Sequence, residues 1–352
     1  MKKMLALLLA LVMVLSLAAC ASSQPAATDA AASTETAETT ETTETTEPAA
    51  EESAEAPAES GKTYTVGVCQ LVQHEALDAA TQGFVDALTE ALGDAVTIDV
   101  QNASGDSVNC GTIVNGFVSK GVDLIMANAT PALTAAVSAT ADIPILGTSI
   151  TAYGVALDID DFNGTVGGNV SGTSDLADLQ AQAQMILDWF PETKTVGLLF
   201  CSAEPNSRYQ IDEDRKALEA QGVTCEEFAF TDSNDVSSVT QKAADFSDVV
   251  YLPTDNTAAS NTEAIANVLI PAGVPAICGE EGICRGCGVA TLSISYYDLG
   301  VTTGKMAAKI LKGEANISEM PVEYTDATPK YNASVCEQLG ITPLDGYEAI
   351  DG

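Results

Sequence analysis

One histidine stands among 352 residues, and lysine and arginine together number 14 against 50 aspartates and glutamates. A single imidazole, His74, leaves no Ser-His-Asp triad except through that one residue, and no serine lies in a GxSxG elbow. No GxxxxGK[ST], HExxH or EF-hand spacing occurs, so the motif-borne chemistries of phosphate cradling, zinc proteolysis and calcium looping have no sequence support. The net charge of −36 disfavours nucleic acid and anionic membrane faces and supports solubility. From Lys62 onward no apolar run approaches the roughly 20 residues needed to cross a bilayer.

Between Ala21 and Gly61 the chain has no lysine, arginine, aromatic, leucine, isoleucine, valine or methionine. Such a segment has no apolar surface to offset the entropy of ordering, which predicts a disordered tether over 21–61. Its repeated Glu-Thr-Thr units repel one another and extend it; the alternative reading is an acidic interaction tail. Ahead of it, Met1-Lys2-Lys3, an apolar run over 4–15 and Leu17-Ala18-Ala19-Cys20 form a secretory signal over 1–20. The pattern resembles a bacterial lipoprotein signal, which implies that the Cys20 thiol receives a diacylglyceryl group and ties an extracytoplasmic protein to the cell membrane.

Eight further cysteines follow: Cys69, Cys110, Cys201, Cys225, Cys278, Cys284, Cys287 and Cys336. In an exported chain they read as disulfides, as small buried hydrophobes at strand ends, or, through Cys284-Arg285-Gly286-Cys287 with Cys278, as a metal or redox site. One CxxC without a second pair is weak evidence for a metal.

The body from Lys62 to Gly352 is long enough for two lobes with separate cores. Apolar runs of strand length alternate with helical patterns. Strands are expected over 64–69, 96–100, 122–127 and 143–146, then over 195–200, 225–230, 249–252, 276–278 and 289–293. Helices are expected between them, among them 75–92, 131–140, 206–221, 258–269 and 296–311. The order is that of βαβ units, which predicts an α/β fold of two doubly wound parallel-sheet lobes.

Ligands of such sheets sit beyond the carboxyl ends of the strands. Those positions hold Gln70 and His74, Asn128-Ala129-Thr130-Pro131, Gly147-Thr148-Ser149, Glu204-Pro205-Asn206-Ser207, Pro253-Thr254-Asp255-Asn256-Thr257 and Gly279-Glu280-Glu281-Gly282. Thr130 reads as a capping residue before a proline at the first helical position, a seat for a carboxylate. Thr148, Ser149, Asn206 and Ser207 add neutral donors, while Asp255 and Glu280 suit an ammonium through charge-assisted hydrogen bonds. Donors on one side and acids on the other describe a zwitterion. Each of these residues also reads as an ordinary cap or turn residue. The candidate ligand-binding set is Gln70, His74, Thr130, Thr148, Ser149, Asn206, Ser207, Asp255, Asn256 and Glu280, with no metal and no cofactor.

At these loops the chain resembles the ABC-transporter substrate-binding lipoproteins of the tryptophan type, within the periplasmic-binding-protein type I superfamily. The resemblance rests on Gln70-Leu71-Val72-Gln73-His74-Glu75-Ala76-Leu77-Asp78, Ala129-Thr130-Pro131-Ala132, Asn206-Ser207, Pro253-Thr254-Asp255-Asn256-Thr257, Gly279-Glu280-Glu281-Gly282 and Tyr296-Tyr297-Asp298-Leu299-Gly300. It implies a monomeric bilobal receptor that performs no reaction and hands a small solute, an aromatic or other apolar amino acid, to a membrane permease driven by a separate ATPase. It also implies three crossings between lobes, near 172–176, 292–296 and 319–324. One lobe then combines 64–173 with 294–318, the other 174–293 with 319–345. The same fold binding a sugar or nucleoside, or serving as a sensor without transport, is the alternative. A surface hydrolase lacks its nucleophile constellation here, and a repressor of this fold would carry a basic helix-turn-helix where this chain carries a signal and an acidic tether.

Overall fold

Strands covered on both faces are apolar without interruption, and Leu124–Asn128 and Val249–Leu252 are buried at every position. Around them the computed structural model describes residues 61–350; the expected signal, Cys20 and all but the last residue of the tether lie outside the described residues. The strands are β1 (Tyr64–Gln70), β2 (Val96–Asn102), β3 (Leu124–Asn128), β4 (Ile145–Ile150), β5 (Val170–Ser174), β6 (Thr195–Cys201), β7 (Thr224–Phe230), β8 (Val249–Leu252), β9 (Ala276–Cys278), β10 (Ala290–Ser293), β11 (Glu323–Tyr324), β12 (Thr328–Tyr331) and β13 (Glu348–Ala349). The helices are α1 (Glu75–Leu92), α2 (Ser107–Lys120), α3 (Thr130–Ala139), α4 (Tyr153–Ala156), α5 (Leu179–Trp189), α6 (Pro205–Ala220), α7 (Val236–Phe246), α8 (Asn256–Ala259), α9 (Thr262–Ala272), α10 (Glu281–Cys287), α11 (Tyr296–Leu311) and α12 (Ala333–Leu339).

Two sheets result, ordered β2-β1-β3-β4-β5-β11 and β7-β6-β8-β9-β10-β12-β13. Both wind outward in two directions from a switch point, β1/β3 in the first and β6/β8 in the second, which is where an open α/β sheet leaves a crevice. The first sheet is parallel throughout. In the second, β12 returns antiparallel to β10, a departure from the all-parallel expectation. The chain passes between the sheets after β5, between β10 and α11, and between β11 and β12. Because Glu323 and Tyr324 pair with Thr173 and Ser174, the stretch expected to open the second lobe's last segment still belongs to the first sheet.

The expected helix over 258–269 is two helices. Asp255 and Asn261 stand at the cap positions of α8 and α9, which splits the run. Strand β5 was absent from the expectation because its sequence, Val-Ser-Gly-Thr-Ser, is polar. Its hydroxyls are nevertheless buried and paired: Ser171 Oγ donates to Met320 O, and Thr173 Oγ1 meets both Thr148 Oγ1 and Thr303 Oγ1. Helices α1 and α11 lie against each other along a glycine seam, where a Cβ on Gly83 would collide with the Tyr297 oxygen and one on Gly300 with the Ala80 oxygen. That close approach fixes two amino termini, at His74 and Tyr296, side by side. Among the described residues the eight cysteines are free thiols, and all but Cys225 are buried.

Candidate functional site

The loops after β1, β4, β6, β8 and β9 and the start of α11 surround a narrow cavity. From the first sheet's side come His74, Leu77, Ser149 and Thr151; Asp175 and Tyr296 stand at two of the passages between sheets. From the second come Asn206, Thr254, Asp255, Asn256, Ala259 and Glu280. The structure therefore brings together His74, Ser149, Asn206, Asp255, Asn256 and Glu280 from the sequence-derived set. Gln70, Thr130, Thr148 and Ser207 do not line this cavity.

Each of those four has a place in the scaffold instead. Gln70 donates to Val72 O and Asp78 Oδ1 and accepts from Thr81 Oγ1, which ties β1 to the first turns of α1. Thr148 is spent on the hydroxyl pair with Thr173. Ser207 Oγ is fully buried beside the Asn206 amide. Thr130 is the first residue of α3 rather than its cap; the cap position falls on Ala129, whose φ of 85° carries no side-chain bond to the helix.

Three carboxylates stand in the wall, with a fourth, Glu204, behind it. Asp255 caps α8 through Oδ1 from Ala258 N at 2.8 Å and takes Cys201 N on Oδ2 at 2.7 Å. Glu280 caps α10 through Gly282 N at 2.7 Å and Ile283 N at 2.5 Å. Glu204 reaches across to α8, accepting from Asn256 N at 3.0 Å and Thr257 N at 2.9 Å as well as from both of those side chains. Apart from Asp255 Oδ2, which holds the end of β6, these oxygens are committed to helix ends, where the backbone dipoles favour negative charge.

Asp175 differs. Its Oδ2 accepts from Tyr296 Oη at 2.9 Å, but Oδ1 is buried without a partner. Ser149 Oγ and Asn206 Oδ1 are likewise buried and unpartnered in the same wall. Ser149 also holds a left-handed φ of 55°, a conformation that L-residues seldom adopt and that functional sites tolerate. Burial pushes the Asp175 carboxyl up to about 6 against the opposing pull of the Tyr296 and Thr151 hydroxyls, and the Glu280 carboxyl up to about 7. The Asp255 carboxyl is raised too, by burial and by Glu204 nearby.

His74 connects the two sides. Asn256 Nδ2 donates to Glu204, so Asn256 Oδ1 is the acceptor and His74 Nε2 carries the proton in their 3.2 Å contact. Burial lowers the imidazole's pKa and keeps it neutral in that role. A second bridge between the sides joins Glu75 of α1 to Arg285 of α10 at 3.0 Å.

Sequence reasoning did not reach Asp175, Thr151 or the buried amides that set the loops, and it held Tyr296 only within a stretch of family resemblance, without a role in the site. Tyr251 Oη donates to Gln182 Oε1 at 2.6 Å, and Gln210 grips Thr254 at both ends of its amide, 3.0 and 3.1 Å. Those glutamines lie inside helices α5 and α6, where nothing in the pattern marks them.

The family described as ABC transporter substrate binding protein matches residues 65–346. A tyrosine-binding protein of Clostridioides difficile (strain R20291) is 33% identical over 276 residues, 77% of this chain and 79% of that one. Among solved structures, an ABC domain from Streptococcus pneumonia in complex with L-Trp shares 32% identity, with 82% of this chain and all of that chain covered and a TM-score of 0.78. A ligand-free, open substrate-binding protein with adhesive properties from Clostridium difficile shares 34% identity, covers 82% of this chain and 99% of its own, and gives a TM-score of 0.63.

Proposed function

The chain belongs to the family of ABC transporter substrate-binding proteins, and from that premise we propose that it is a lipid-anchored extracytoplasmic receptor that shuts two lobes around an aromatic amino acid and delivers it to an importing permease driven by a separate ATPase. The family is one of solute-binding proteins, so the work is capture and release rather than bond-making. The single observation that carries the reading is the set of buried, unpartnered polar atoms in the cavity wall, Ser149 Oγ, Asp175 Oδ1 and Asn206 Oδ1. An unsatisfied buried group costs about 1–3 kcal/mol, so a polar guest that pairs with them has a free-energy reason to enter. Leu77, Ala259 and the Tyr296 ring supply apolar wall for a side chain. The tyrosine and tryptophan of the two named relatives support an aromatic one.

The bridges His74–Asn256 and Glu75–Arg285, and the better superposition on the L-Trp complex than on the open protein, support a closed cleft here. The three passages between sheets serve as its hinge, whose few dihedral changes set open against closed. A diacylglyceryl group on Cys20, with 21–61 as tether, holds the monomeric receptor at the membrane beside its permease. The test is the melting temperature of the purified chain against the twenty amino acids, a pentose and a set of nucleosides. Tyrosine, tryptophan or phenylalanine at 100 times Kd stabilises by about 2.7 kcal/mol. Response to a pentose or nucleoside, with silence toward every amino acid, overturns the reading.

A further inference from the structure

The cavity is lopsided in charge. Asp175, Asp255 and Glu280 line it, Glu204 stands behind, and neither lysine nor arginine is among its lining residues. The one base, His74, is neutral and spends Nε2–H on Asn256. A ligand carboxylate thus meets no cationic side chain.

Nor do α8 and α10 offer it their helix ends. The free N–H groups at the start of α8 are taken by Glu204 and Asp255, those at the start of α10 by Glu280. The anion seats that those two helix amino termini usually provide are filled by the chain's own carboxylates. Among the buried side-chain atoms of the wall, those left unpaired are two acceptors, Asp175 Oδ1 and Asn206 Oδ1, and one hydroxyl, Ser149 Oγ. A primary ammonium carries three N–H donors and a positive charge, and hydrogen bonds to a carboxylate in a buried site are about twice as strong as neutral ones.

The geometry points to a site built for a primary ammonium, with Asp175 as its anchor and the ligand carboxylate in a secondary role, so that aromatic primary amines without a carboxylate are ligands as well. This rests on the reading of the cleft as an amino-acid site. It also moves the ammonium anchor from Asp255 and Glu280, whose oxygens hold backbone N–H groups, to a residue at the first passage between the lobes. An amine held there touches the segment that bends on closure. Burial raises the Asp175 carboxyl, which marks a group short of a counter-charge.

The experiment titrates the full-length chain in detergent micelles calorimetrically with tyrosine and tryptophan, with tyramine and tryptamine, and with the deaminated acids 3-(4-hydroxyphenyl)propionate and indole-3-propionate. The amines bind at least about tenfold more tightly than the deaminated acids, the order set by one charge-assisted pair. A smaller preference, or the reverse order, overturns the inference and leaves the amino-acid receptor standing. No binding of either amino acid overturns the receptor reading itself. Asp175→Asn keeps the side-chain volume and an acceptor for Tyr296; it weakens the amines by at least about tenfold and leaves the deaminated acids no weaker. Unchanged amine affinity in that variant, with melting temperature retained, also overturns it.

Discussion

Asp255 is a carboxylate with both oxygens in use, one on Ala258 N and one on Cys201 N, and that decides what its removal does. Asp255→Ala strips the cap from α8 and leaves the buried Cys201 N–H unpaired, so it lowers stability by about 2 kcal/mol, read as a shift of the urea midpoint at unchanged slope. A variant as stable as the parent would show the cap to be dispensable. Asn206→Leu works the other way: it removes an unpartnered oxygen, but also the amide that Glu204 and Thr254 O accept from, and weakens amino-acid binding by about tenfold or more in a titration. The sequence displayed Asp255 and Glu280 at strand ends, and it displayed equally that each precedes a helix. Which role wins depends on where the two oxygens point, and that is a tertiary fact. Asp175 stayed out of view because the strand that it follows is polar. Its burial follows from hydroxyl pairing across β4, β5 and α11 rather than from any apolar run.

The elements best legible in the chain are those with a strong period or a continuous apolar run: α1, α11, β8 and β9 fall where the pattern places them, to the residue. Those that escaped are short or compositionally unlike their state. Helix α10 is Glu-Gly-Ile-Cys-Arg-Gly-Cys, with two glycines in seven residues, held as a helix by the Glu280 cap and by Ile283, Cys284 and Cys287 packed into the core. β11, β12 and β13 are two to four residues long and form because neighbouring strands offer unpaired edges. The seam between α1 and α11 shows what such packing does for the site. Gly300→Ala forces the helices apart against the Ala80 carbonyl, costs about 1–3 kcal/mol, and displaces His74 and Tyr296 together. The expected result is a lower melting temperature accompanied by weaker ligand binding. Loss of stability with affinity intact would mean that the amino termini are held by something other than the seam.

At the scale of the whole molecule, pH separates folding from binding because the same carboxyl groups act in opposite directions on the two. Asp175, Asp214 and Glu280 are raised by burial to about 6, 8 and 7, and Asp255 is raised as well. A carboxyl raised in the folded state binds its proton more tightly there than in the unfolded chain, so its stabilising effect is present at low pH and is lost as pH rises through the folded value. Surface carboxyls lowered by their partners, such as Asp248 on Thr195 and Lys194 backbone, have finished ionising below about pH 5 and add no slope above it. His74 opposes the trend, its lowered value removing stability as pH falls through the ordinary imidazole range, but it is one group against four. The unliganded protein is therefore expected to melt at progressively lower temperature between about pH 5 and pH 8. Ligand affinity runs the other way. An ammonium needs Asp175 ionised, and the groups facing that carboxyl are Tyr296 and Thr151, with Tyr153 and Glu280 close by, none of them a cation that could hold it ionised in the ligand's absence. Affinity for an amino acid thus rises with pH and levels off above about 6, falling by up to about tenfold per unit below it. Melting curves and titrations over the same buffers test both slopes at once. Affinity that is flat from pH 5 to about 8 would remove the buried carboxylate from the binding step, whatever the melting temperatures do.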